Sequence, residues 1–191
     1  MMPQQCLPGT NIQMDLQGGS DYRKAFETAF AMTRGIYLSQ LSDMVGVPGP
    51  TLQNWVKRGF VSSPVGKRYS RRQTCRIILI AMLRDVMPLD ETADLLSMIN
   101  NNLADEQDDR IDDSDLYLYF CDVVLAGEPG DLPDRQGLER RIAAVTRSYQ
   151  GPDPADTVRL NQVLLIMVYA YEARLLGMEA RQMLAGMKEG K

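Results

Sequence analysis

Five polar side chains within one short stretch, Thr51, Gln53, Asn54, Lys57 and Arg58, are of the kinds that read a nucleic-acid duplex. Gln53 and Asn54 each carry a donor and an acceptor that can pair bidentately with an adenine edge, whereas Lys57 and Arg58 suit phosphate. Lys67 and Arg68 follow beside Gly66, and Arg71 and Arg72 stand in the first turn of the next expected helix. Cations in a first turn oppose the helix dipole, so the pair weakens the fold slightly unless an anion comes to it. A phosphate would satisfy both the arginines and the free N–H groups there. The alternative for the whole set is a solvated basic face with no ligand.

Other chemistries find less support. The chain has no histidine, which removes imidazole as general base, triad member or metal ligand. Its three cysteines, Cys6, Cys75 and Cys121, are tens of residues apart and odd in number, fitting neither a zinc knuckle nor a disulfide scaffold. They read as reduced thiols packed as small hydrophobes. The acidic run at 105–115 lacks the glycine and ligand spacing of a calcium loop. With no nucleophile–base pair or metal cluster visible, neither an enzyme nor a metal or cofactor site is expected.

Charge divides the chain. From Arg34 to Arg84 nine basic residues face one acid, Asp43, a local charge of +8 within a chain whose net charge is −4. From Asp85 to Asp131 fourteen acids stand against Arg110 alone. A basic module joined to an acidic, partner-facing or solubilising one carries that signature. No apolar run approaches the roughly 20 residues of a membrane span, and Met1-Met2-Pro3-Gln4-Gln5-Cys6 offers no secretory signal. The expectation is a cytoplasmic protein without membrane contact.

The elements that must position the basic residues follow from punctuation. Residues 1–20, with Pro3, Pro8, Gly9, Gly18 and Gly19, read as a mobile arm. Tyr22, Ala25, Phe26, Ala29 and Phe30 have helical spacing over 21–33. A two-turn helix from Ser39 ends at Gly46, and Pro48-Gly49-Pro50 opens a second at 51–58. Gly59 stops that helix. Residues 60–69 have two β-capable ends around a Pro/Gly turn, a small wing. Ser70-Arg71-Arg72-Gln73 is a capping box for a helix to about Val86, and Pro88 begins another. Helices near 114–126, 134–149 and 154–187 complete the chain. In the last of these, Leu164, Ile166, Met167, Val168, Tyr171 and Leu175 surround more than one face, as for a central helix or a dimer interface.

Two short helices joined at a glycine, a wing and a basic helix make a winged helix-turn-helix. The run from Tyr37-Leu38-Ser39-Gln40-Leu41-Ser42 through Gly46-Val47-Pro48-Gly49-Pro50-Thr51-Leu52-Gln53-Asn54-Trp55 resembles the opening of a MerR-type DNA-binding domain. Gly59-Phe60-Val61-Ser62-Ser63-Pro64, Arg68-Tyr69 and Leu89-Asp90-Glu91 follow in the family order, so the resemblance covers residues 37–99. It differs at Gln53 and Asn54, where that family usually has arginine and tyrosine, and its wing is shorter. The chain is similar to a bacterial family of uncharacterised proteins that carry a MerR-like domain. The resemblance implies that Thr51, Gln53 and Trp55 face DNA, with Arg68 and Tyr69 at the wing. For Trp55 the alternative is core packing, and for Tyr69 it is support of the wing.

The sequence therefore predicts an all-α protein with a small β-wing: a mobile arm at 1–20, a winged helix-turn-helix with a flanking helix at 21–103, an acidic linker at 104–113 and a helical dimerisation or partner domain at 114–191. Its expected role is sequence-specific binding of double-stranded DNA as a homodimeric transcription regulator, without catalysis. The rival is a protein-interaction adaptor whose acidic helical domain docks a partner and whose winged domain does not bind DNA.

Overall fold

A computed structural model describes residues 5–14, 22–100, 110–127 and 134–189. These residues are mostly helical, with two small antiparallel sheets of two strands each. In chain order they are β1 (Gln5–Cys6), β2 (Gln13–Met14), α1 (Tyr22–Thr33), β3 (Ile36–Tyr37), α2 (Leu38–Val45), α3 (Gly49–Lys57), β4 (Arg68–Tyr69), α4 (Arg71–Leu83), α5 (Leu89–Ser97), α6 (Asp113–Leu125), α7 (Arg135–Val145), a 3₁₀ turn (Thr146–Ser148) and α8 (Ala155–Glu189). No helix among the described residues is long and apolar enough to cross a membrane.

The turn between α2 and α3 follows from its residues. Gly46 sits at φ 66°, a left-handed conformation that glycine adopts without steric cost, and its N–H donates to the Ser42 carbonyl. The Ser42 hydroxyl donates to the Val47 carbonyl at 2.7 Å, which turns Val47 inward. Pro50 falls in the first turn of α3, where it forfeits no helical hydrogen bond. At α4, the Gln73 N–H donates to the Ser70 hydroxyl and the Ser70 N–H to the Gln73 side chain, the expected capping box.

Helix α4 is the centre of the molecule. Every residue from Thr74 to Leu83 is buried, and the helix packs against α2, α5, α6 and α8. One continuous core results, running from Leu41, Leu52 and Trp55 through Ile77, Leu79 and Leu83 to Phe120, Leu164 and Met167. Much of the boundary expected at 104–113 lies outside the described residues. Its end, however, is not linker: Ile111 is buried, Asp112 caps α6 and Asp113 begins that helix.

The expected mobile arm also differs from what is observed over residues 5–14. These residues form a hairpin seated on the body. Leu7 is buried, the Asn11 N–H donates to the Met44 carbonyl at 2.8 Å, and the Tyr117 hydroxyl donates to the Pro8 carbonyl at 2.8 Å. Gly9 lies so close to α4 that a Cβ there would stand 3.0 Å from the Ile78 side chain. The attachment depends on partners remote in sequence, which local composition does not reveal.

Candidate nucleic-acid interface

The outward side of α3 is set by what points inward. Leu52 and Trp55 are buried, and this leaves Gln53, Asn54 and Lys57 exposed and Thr51 half-exposed. Trp55, 3% exposed, is therefore a core residue and not a DNA-facing one. Its indole is large and apolar enough to anchor the short helix in the core, and Arg84 approaches its ring face at 5.6 Å. Arg58 follows the helix end. Its guanidinium lies over Phe60 at 4.7 Å and meets Asp90, in the first turn of α5, at 3.2 Å.

The wing is built differently from the expectation. Its strand β4 pairs with β3, Ile36 opposite Tyr69 and Tyr37 opposite Arg68, and not with residues 60–61. The reason is at the N-terminus of α4, where the Gln73 amide donates to the Ser62 and Ser63 carbonyls and draws that segment away from β4. Val61 is buried in the core. A tight turn remains at the tip, where Val65 bridges Arg68 and Gly66 and Lys67 both have positive φ, 58° and 63°. Lys67 is exposed to solvent.

The remaining predicted residues are occupied within the chain. Arg68 stacks on Tyr37 at 4.1 Å and donates to the Thr33 and Gly35 carbonyls at 3.0 and 3.1 Å, closing the C-terminus of α1. Tyr69 is 3% exposed, and burial pushes its hydroxyl pKa up, so it supports the wing from inside. Arg71 lies 3.7 Å from Glu27. Arg72, largely buried, faces Asp113 at 3.6 Å and Asp112 at 3.9 Å. The anions these two arginines require are thus carboxylates of the same protein.

The sequence reading missed the ion pair beneath them. Arg76 and Asp113, each 2% exposed, meet at 2.9 Å, and the Asn100 amide donates to the other Asp113 oxygen at 3.0 Å. A signal was available: an arginine in the middle of an otherwise apolar helix needs a buried counter-charge, because a lone charge there is too costly. Cys75, one position away on the same helix, is buried, and its thiol pKa is raised well above the ordinary value, first by burial and then by Asp113.

Gln53, Asn54, Lys57 and Lys67 are what the fold leaves outward without a partner described above, three on a short helix and one at the loop tip that follows it in the chain. That set combines two base-pairing amides with two cations.

Residues 37–120 match a family described as a domain of unknown function (DUF1836). The matched segment runs from β3 into α6 and so includes both halves of the Arg76–Asp113 pair. A protein of Bacillus subtilis (strain 168), named as the uncharacterized protein YkrK, is 21% identical over 143 residues, covering 70% of this chain and 61% of that protein. The chain thus spans about three-fifths of the length of that curated relative. No solved structure matches.

Proposed function

We propose that this protein is a sequence-specific binder of double-stranded DNA, a transcription regulator of winged helix-turn-helix, MerR-like type that acts by binding and positioning. The observation that supports the reading is the outer side of α3, where Gln53, Asn54 and Lys57 project while Leu52 and Trp55 hold the helix from within. A nine-residue helix is about 13 Å long, a fit for a major groove about 12 Å wide. The reading assigns exposed Lys67, at the loop tip, to a flanking phosphate. One such helix reads few base pairs, so the reading calls for two copies on one site.

The test is a salt titration of duplex binding. Lys57→Ala and Lys67→Ala are expected to weaken binding to every sequence and to lower the salt slope by about 0.9 for each phosphate no longer neutralised. Gln53→Ala and Asn54→Ala are expected to cost about 1–3 kcal/mol at the correct base while leaving non-specific binding nearly intact. A parent protein with no salt-sensitive duplex binding would overturn the reading. The adaptor reading would then replace it, favoured by the fact that Arg58, Arg68, Arg71, Arg72 and Arg76 already hold partners inside the chain.

A further inference from the structure

Helix α8 has 35 residues, about 52 Å of length. Its first half is embedded through Leu160, Val163, Leu164, Met167 and Val168. Every residue from Leu175 to Lys188 except half-exposed Gly177 lies open to solvent, including Leu176, 65% exposed, Met183, 67%, and Met187, 74%. Ile166, Tyr169, Ala173, Leu176, Ala180, Met183 and Met187 are spaced alternately by three and four residues, the 3.5-residue repeat of a coiled-coil seam. At about 100° per residue this stripe lies on the side opposite the embedded face. It begins alongside the body, where Ile166 and Tyr169 are already exposed, and continues without a break to the helix end.

The charges beside the stripe say what covers it. On one flank stand Glu179 and half-buried Glu172, the latter near Arg141 of its own chain, and beyond the other lie Arg181 and Lys188, while Arg174 is turned to Asp85 at 3.0 Å. The Arg181 guanidinium leans back over Gly177, where the absent side chain lets it reach the seam's edge. We propose that a second copy of this chain occupies the stripe, its α8 parallel to the first. A parallel pairing sets the acidic flank of each helix against the basic flank of the other: Glu172 near Arg181 of the partner subunit and Glu179 near Lys188 of the partner subunit. An antiparallel pairing sets the acidic flanks together and is disfavoured by the same charges. With the embedded faces turned outward, the two bodies stand on opposite sides of the paired helices. This inference rests only on the two-copy part of the proposed function, and loss of DNA binding leaves it untouched.

Sedimentation and cysteine cross-linking test it, in a Cys6→Ser background because Cys6 is the exposed cysteine. The parent is expected to sediment as a dimer, and Met183→Glu to weaken it by more than about tenfold. Because residue 183 lies beyond the packed body, the body should keep its helical content by circular dichroism below the melting transition. On oxidation, Met183→Cys should form a disulfide between identical positions. In an antiparallel pair centred on Leu176 those positions lie about 14 residues apart, roughly 21 Å, and the productive mixture is instead Ala173→Cys with Ala180→Cys. Glu179→Lys alone should weaken the dimer, and adding Lys188→Glu should restore it. A monomer at tens of micromolar overturns the interface. A dimer that cross-links only in the mixed Ala173/Ala180 experiment overturns its direction.

Discussion

Arg76 is buried, and its charge is tolerable because Asp113 faces it, itself held by the Asn100 amide. Asp113→Ala is expected to lower stability by about 3–5 kcal/mol, read from urea unfolding, because it strands the guanidinium. Replacing the pair together, Arg76→Met with Asp113→Leu, should recover most of that stability, since a well-packed apolar pair can substitute for a buried ion pair. Asp156 gives a pH-dependent counterpart. Burial opposes its charge, but the Asp153 N–H and the Arg110 guanidinium outweigh that and hold its carboxyl below the usual range. A folded pKa below the unfolded one gives stability that is present above about pH 4 and is lost as pH falls through the folded value. Asp156→Asn should therefore flatten the acid limb of the stability curve below about pH 4 relative to the parent. At this scale the sequence was informative where type alone decides, as for outward Gln53, Asn54 and Lys57. It was uninformative where a partner decides, because no local pattern assigns Arg72 to Asp113 and not to a phosphate.

Among the elements, the turns carry the information. Gly46 has open space around the position a Cβ would take, so Gly46→Ala isolates the cost of φ 66° in a side-chain-bearing residue, about 1 kcal/mol by thermal unfolding. Lys67 presents the inverse case: at φ 63° it already bears that strain, on an exposed loop tip. Lys67→Gly should raise stability by about the same amount while weakening duplex binding. If stability and binding fell together, the tip would be serving the fold alone. Helix ends were legible because capping and breaking residues act within a few positions, as at Ser70 and Gly46. The wing's strand partner was not legible. Pairing with Ile36 and Tyr37 is decided by Gln73, which holds Ser62 and Ser63 from a different element.

At the scale of the whole molecule, the two units drawn from the charge pattern share α4, so the body is expected to unfold in one cooperative transition by calorimetry. Two separated transitions would show that the acidic and basic halves are thermodynamically independent. Charge asymmetry was plain in the sequence and suggested a linker, but its acids include Asp112 and Asp113, which bind the two halves together. The hairpin at 5–14 has a consequence in time. Among the earliest residues described, it closes on Met44 and on Tyr117, so during synthesis its seat is incomplete until α6 has left the ribosome. The hairpin, made before α6, thus finds its full seat only after α6 has been made. A nascent chain arrested before residue 117 has emerged should leave that hairpin open to protease, and one arrested well beyond it should not.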